Sequence, residues 1–332
     1  MSQSRLIEEV IKNGLCINCG ACVGLCPYMD YFDGKVVVLD PCTYKEGRCS
    51  QFCPQIIDAS PDINRVSPIG RYIEVFASRA TDGEIREKAQ YGGTVSALLI
   101  HLLEKGFISY AVLTDKGNSH SPSGRWVKSK EEVLDCAGSR YSASGSLSRF
   151  NYLIKDKGPL KDICFVGLPC QIKALDKMSS KTDLSKILKI GLFCTWSLDY
   201  RSLREFLISK GIDGADGFDI PPPPLQVFRI YRKNSHIDIP LDEIRPLIQK
   251  GCSICMDMTS ELSDISVGAM EGDEGWNTVI IRTEMGKELF DRALKEGIIE
   301  IKELPEKNLS HLKDSSLNKK KRGANNIKDL FS

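Results

Sequence analysis

Residues 16–27 read Cys16-Ile17-Asn18-Cys19-Gly20-Ala21-Cys22-Val23-Gly24-Leu25-Cys26-Pro27. This is C-x-x-C-x-x-C-x-x-x-C-P, the spacing by which a short loop wraps an iron-sulfur cube. Three thiolates two residues apart reach three irons of one cluster, and the proline turns the fourth cysteine toward a second site. In chains with two clusters each fourth cysteine serves the other cluster, and a second, partial run follows as Cys42, Cys49 and Cys53 with Pro54 behind it. The spacing therefore predicts one cluster on Cys16, Cys19, Cys22 and Cys53, with Cys26, Cys42 and Cys49 as the ligands of another. That second set is one ligand short, because a regular repeat would have a cysteine at position 45, where the chain has Lys45. A three-iron cluster, a non-cysteine ligand and no second cluster are all compatible with that count. Zinc is the rival occupant, since C-x-x-C pairs also close tetrahedral sites. Zinc motifs come as two separated pairs, however, whereas here three cysteines run in step into Cys-Pro. A disulfide framework fits less well still.

The chain has 332 residues with 42% apolar content, enough for two or three domains with a real core. Lysine plus arginine (45) nearly balances aspartate plus glutamate (44), so no global field points to nucleic acid or an anionic membrane surface. The first ten residues carry Glu8 and Glu9 and lack the apolar core of a signal peptide. No stretch approaches the roughly eighteen apolar residues of a transmembrane helix. With 13 cysteines and no export signal, the thiols are expected to be reduced and to serve metal in the cytoplasm.

Three regions are expected along the chain. Residues 1–65 read as a small ferredoxin-like iron-sulfur domain, with a short apolar segment from Lys35 to Leu39 and a polar linker over 61–70. It is too small for a large core, and its clusters would act as the staple. Residues 66–315 alternate strands and helices, the pattern of an α/β (α+β) body. Strands are expected at Tyr72 to Arg79, Tyr110 to Thr114, Ile163 to Val166 and Ile187 to Phe193, and helices at Thr94 to Glu104, Gln171 to Met178 and Tyr200 to Lys210. A Ser- and Gly-rich loop is expected from Asp115 to Gly124, and a stiff extended segment at Pro221 to Pro224. Residues 316–332 read as a basic polar tail, in which Asn318-Lys319-Lys320-Lys321-Arg322 is a solvated run or a docking point for an acidic partner.

Four further cysteines fall in loops of the body: Cys170, Cys194, Cys252 and Cys255. Cys170 and Cys194 follow strand ends, where loops of an open α/β sheet gather on one side. With the C-x-x-C pair they make four thiolates, the number a [4Fe-4S] cluster needs. The alternative is that Cys170 and Cys194 are small buried apolar residues, as Cys136 and Cys164 are expected to be.

Five ordered motifs then carry a resemblance: Gln90 to Leu99, Gly138 to Ser142, Phe165 to Gln171, Gly251 to Cys255 and Asp264 to Ala269. Over residues 70–305 the chain resembles the beta-subunit family of the coenzyme F-420 (F420) hydrogenases and dehydrogenases. The resemblance implies FAD, a [4Fe-4S] cluster on Cys170, Cys194, Cys252 and Cys255, and electron exchange between F420 and a partner metalloenzyme of hydrogenase, formate dehydrogenase or heterodisulfide reductase type. Residues 1–60 fit relatives that carry an added two-cluster ferredoxin module. Gly92 and Gly93, with Thr94 and Ser96 at the following helix start, are expected where a flavin comes close to backbone, since free N–H groups there suit a phosphate or carbonyl. Ser139, Arg140, Tyr141 and Ser142 form a hydroxyl-rich loop suited to the FAD pyrophosphate. No G-x-G-x-x-G fingerprint supports a Rossmann site.

The mechanism implied needs no protein acid or base: FAD converts a two-electron hydride from F420 into single electrons for the clusters. Trp196 and Tyr200, just after Cys194, are expected as core packing or as shields of the cofactors. Two other functions fit the residues: a free-standing flavin reductase of an organic substrate fed by ferredoxin, and an electron-wiring protein without flavin.

Overall fold

Ile163-Cys164-Phe165-Val166-Gly167 holds no polar side chain and all five residues are buried, as befits a parallel strand covered on both faces. A computed structural model describes residues 2–58, 67–116, 121–157, 162–221 and 225–331.

The N-terminal part contains α1 (Ser2–Leu6), which continues through a π-helical turn (Ile7–Ile11), then the hairpin of β1 (Met29–Phe32) and β2 (Lys35–Val38), then α2 (Arg48–Gln51). The body follows with β3 (Glu74–Ala80), α3 (Gly83–Lys88), α4 (Thr94–Glu104), β4 (Tyr110–Asp115), β5 (Ser123–Val127), α5 (Lys130–Asp135) and α6 (Ser146–Lys157). Its centre is β6 (Ile163–Gly167), α7 (Pro169–Ser179), β7 (Leu188–Leu192) and α8 (Tyr200–Ser209). A smaller unit contains β8 (Gly217–Asp219), β9 (Val227–Arg232), β10 (Ser235–Pro240) and α9 (Leu241–Ile244). The chain then forms β11 (Ile265–Ala269), β12 (Asn277–Ile281), α10 (Glu284–Lys295), β13 (Ile299–Lys302) and α11 (Glu306–Phe331).

Eight strands make one mixed sheet in the order β13-β3-β12-β11-β7-β6-β4-β5. The central run β4, β6, β7 and β11 is parallel, and antiparallel strands flank it on both sides. One core packs α4, α5 and α10 on the sheet around Leu98, Leu102, Val279 and Phe290. Another packs α6 and α7 around Phe150, Phe165 and Ile172. Strands β8–β10 make a separate antiparallel sheet covered by Leu203, Leu207 and Ile244.

The expected strands and helices lie where the sequence placed them, with ends moved by one or two residues. The expected loop over 115–124 gives way at Ser123 to the edge strand β5, whose Ser-Gly start hides its pairing with β4. Residues 222–224 of the proline run and 59–66 of the expected linker lie outside the described residues. The end of that linker is packed rather than loose, since Ile69 is buried and its carbonyl accepts from Arg282.

The basic polar tail needs correction. Residues 306–331 are one helix, in which Ser316, Lys319, Lys320, Ala324 and Ile327 are buried. Composition made the run look solvated, but helical periodicity turns one stripe of it onto the body. Glycine at 323 is required there, since a Cβ would stand 2.8 Å from the Cys255 carbonyl oxygen.

The N-terminal part shares the body's core: Ile17, Cys19, Ala21 and Phe52 pack with Leu147, Phe150 and Phe165. The buried Gln55 amide donates to the carbonyls of both Leu15 (2.9 Å) and Gly251 (2.8 Å). A Cβ on Gly251 would lie 2.2 Å from the Leu15 oxygen, so only glycine allows this approach. Asn151 Nδ2 adds bonds to the carbonyls of Ala21 (3.1 Å) and Val23 (2.7 Å). Gln55→Leu should therefore leave two buried carbonyls without their donor and destabilise the protein by about 1–3 kcal/mol. Urea denaturation checks this, and an unchanged midpoint would show that the contact does not hold the two parts together.

Candidate functional site

Strands β6 and β7 are parallel neighbours, with Gly167 beside Gly191 in register. The chain leaves them at the same edge through Leu168-Pro169-Cys170 and Phe193-Cys194. A short 3-10 turn (Lys250–Ile254) presents Cys252 and Cys255. All four cysteines line one cavity, together with Pro169, Trp196, Ser197 and Lys319. Burial pushes these thiols up: Cys170 well above its ordinary value, Cys194 to about 12, and Cys252 upward. Thiols raised in this way ionise on binding a metal rather than unaided, so the set suits metal ligation. Among the described residues neither carboxylate nor histidine lines the cavity, and an all-thiol donor set fits a [4Fe-4S] cluster. Trp196 lines the cavity, whereas Tyr200 is buried against Gly34.

The N-terminal loop forms a second cavity, lined by Cys16, Cys19, Cys22 and Cys53 with apolar Leu6, Ile11 and Val36. Asn18, Gly20 and Gly24 adopt left-handed backbone conformations that curl this loop between its thiols. Burial raises Cys16, Cys19, Cys22 and Cys53, the last to about 11. Ile17, Cys19 and Gln55 line both cavities, so the two four-cysteine sets stand back to back across one wall. The third set is placed differently. Cys26 is exposed, Cys42 and Cys49 are half-buried, and Ser2 Oγ lies 3.5 Å from the Cys49 sulfur. Among the described residues no three His, Cys, Asp or Glu side chains are grouped to hold a single metal ion. Ligands of a cube each meet a different iron and stand further apart than those of a mononuclear zinc site.

Ser139, Arg140, Tyr141 and Ser142 line a pocket with Lys116, Pro122, Asp216, Gly217 and Phe218. Arg140 binds the carbonyls of Ser139 (3.1 Å) and Ala137 (3.2 Å), which leaves its buried Nε without a partner among the described residues. An unpaired guanidinium nitrogen beside hydroxyls fits an anionic group such as a diphosphate. The loop then runs on to Ala143 and Ser144, which line the body cysteine cavity.

The expected flavin approach at Gly92, Gly93 and Thr94 is used inside the protein. A Cβ on Gly92 would meet Asn277 and Ser78 within about 3 Å. The Thr94 N–H, expected to be free, donates to Asn277 Oδ1 (3.2 Å), and its side chain is fully buried against Ser78. Ser96 is half-buried on α4. This turn instead positions Gln90 and Tyr91. Gln90 Oε1 accepts from the Ser139 N–H (2.7 Å), and its amide donates to the buried Asp219 carboxylate. Tyr91 and Tyr141 donate to the same oxygen, each at 3.0 Å. Sequence reading missed Asp219, which has no local motif, and Lys319, whose signal is the helical spacing of Ser316, Lys319, Gly323 and Ile327.

Two family descriptions, for the N-terminal and the C-terminal regions of the coenzyme F420 hydrogenase/dehydrogenase beta subunit, cover most of the body; the first matches residues 75–150 and the second residues 160–307. A coenzyme F420 hydrogenase subunit beta from Methanosarcina barkeri is 30% identical over 72% of this chain and 84% of its own. A coenzyme F420-dependent sulfite reductase from Methanocaldococcus jannaschii is 32% identical over 88% of this chain, which spans only 48% of that enzyme. A chain of the F420-reducing [NiFe] hydrogenase complex from Methanosarcina barkeri superposes with a TM-score of 0.74 at 27% identity, covering 80% of this chain and 94% of that one. Among the described residues no helix is long and apolar enough to cross a membrane. The two matched regions, the relatives and the shared fold agree: this chain belongs to the coenzyme F420 hydrogenase/dehydrogenase beta-subunit family.

Proposed function

We propose that this chain is an iron-sulfur flavoprotein subunit that exchanges a hydride with F420 at FAD and passes single electrons through [4Fe-4S] clusters to or from a partner metalloenzyme. The observation that carries this reading is the order of sites. The Arg140 pocket adjoins the body cavity through the Ser139–Ser144 loop, and that cavity shares Ile17, Cys19 and Gln55 with the N-terminal one. FAD held there would supply the conversion between a hydride exchanged with F420 and single electrons for the clusters. The chain's own work is to hold and space the carriers. Arg140 Nε with the Ser139 and Ser142 hydroxyls holds the diphosphate, and the Tyr91–Asp219–Tyr141 network stiffens the pocket wall. Cys170, Cys194, Cys252 and Cys255 hold the body cluster. Cys16, Cys19, Cys22 and Cys53 hold the next, in a ferredoxin-like N-terminal part. Exposed Cys26 marks the side where a partner docks, with Cys42 and Cys49 as a third set still one thiol short. Hydrogenase-like and sulfite-reductase-like partners both suit such a subunit, as the names of its relatives suggest.

Anaerobic mixing of the iron-replete, FAD-containing protein with reduced F420 should bleach both the flavin and cluster absorbance. A sample shown to hold FAD that does not bleach would overturn the F420 reading in favour of a ferredoxin-fed flavin reductase. A protein that carries clusters but retains no flavin would indicate the wiring function.

The double variant Cys16→Ser/Cys19→Ser should still be reduced at its flavin by F420 and fail to pass electrons to an external acceptor. Loss of flavin reduction as well would contradict the order of carriers. Arg140→Ala removes a charge-assisted contact of about 1.5–3 kcal/mol, so FAD affinity should fall roughly 10- to 100-fold, as read by flavin fluorescence on dilution.

A further inference from the structure

Helix α11 carries a cation into the body cavity. Lys319 is 4% exposed and, among the described residues, is the single charged side chain lining that cavity. Its ammonium donates to the carbonyls of Cys194 (2.7 Å) and Asp257 (2.8 Å). Neither acceptor is a carboxylate. The Asp257 carboxylate is taken up by the N–H groups of Thr259 (3.0 Å), Ser260 (2.8 Å) and Glu261 (2.9 Å). The adjacent Lys320 is paired with Glu261, and Arg322 faces solvent. Among the described residues Lys319 thus has no ion-pair partner, although an uncompensated buried charge is strongly unfavourable. Its placement is not accidental slack in a flexible tail. Gly323 lies against the Cys255 carbonyl, and Asn326 Nδ2 donates to the Ser253 carbonyl (2.9 Å), so the helix is clamped across the Cys252–Cys255 turn.

A cube held by four thiolates is anionic in both oxidation states and gains a further negative charge on reduction. It is therefore the missing counter-charge. Resting on the reading of this cavity as a [4Fe-4S] site, we propose that Lys319 is a positioning residue that tunes the body cluster. Its fixed charge stabilises the reduced form and raises the reduction potential, so that the cluster accepts single electrons from the flavin. One electron enters per cluster, and Lys319 keeps its protons throughout.

The test is an anaerobic, EPR-monitored redox titration of the full chain, with iron and sulfide counted on the same samples. Lys319→Met and Lys319→Gln should each keep the cluster signal and favour the oxidised form at least tenfold more at a given poise, a downward shift of about 59 mV for a one-electron couple. Lys319→Arg should restore the native value. An unchanged potential in an iron-replete Lys319→Met sample would overturn the proposal. Cluster loss in the Met and Gln variants with retention in Lys319→Arg would support the need for a charge, and loss in all three would overturn it. Cys252→Ser/Cys255→Ser separates this from the underlying reading: if that variant keeps every cluster signal, the cavity holds no cluster, whatever Lys319 does.

Discussion

One side-chain amide ties the N-terminal loop to the cysteine turn of the body. Gln55 donates to Leu15 on the N-terminal loop and to Gly251 beside the body C-x-x-C pair, and Gly251 is the residue that lets the two backbones come within reach. A side chain at 251 would force the loop away and separate the cavities. Because the contact is buried, neither carbonyl has water as an alternative partner, and the two parts behave as one body. Cys19 follows from this: it belongs to the N-terminal thiol set and also lines the body cavity.

Burial has opposite consequences for the thiols and the amines around these cavities. Cys19, Cys170 and Cys194 are raised by desolvation, which disfavours their thiolates in the absence of a bound cation. A lysine reaches a cysteine carbonyl at each cavity: Lys177 binds that of Cys53 (2.8 Å) and Lys319 that of Cys194 (2.7 Å). Burial lowers the Lys177 amine. The Lys319 amine is lowered by burial too, but Cys255, Cys194 and Cys252, once ionised, raise it above its ordinary value. Similar hydrogen bonds thus sit in different fields, and the body cavity is the one built around an internal positive charge.

The parallel strands were legible because β6 and β7 are short apolar runs that end in loops, and α4 because its apolar residues recur at helical spacing to a Lys-Gly stop. The β9–β10 hairpin was not, since Val227–Pro240 mixes charged and apolar residues around a Lys-Asn turn without a strong turn signal. Helix α11 was read as a solvated tail for a related reason. Its buried stripe includes lysines, and composition cannot show that a charged residue points inward. The Gly92-Gly93 turn was read as the place where a flavin comes close to backbone, and in the structure Ser78 and Asn277 stand against Gly92.

The sequence by itself determined where the thiols stand in the chain: spacing in steps of three, a proline stop and a C-x-x-C pair point to an iron-sulfur reading, because ligand reach along a short loop is a local property. Only the tertiary structure decided which sites are neighbours and what surrounds them. The back-to-back cavities, the unpaired Arg140 nitrogen and the buried Lys319 all depend on residues far apart in the chain. Such contacts are fixed by packing and by the satisfaction of buried polar groups, and no local spacing records them.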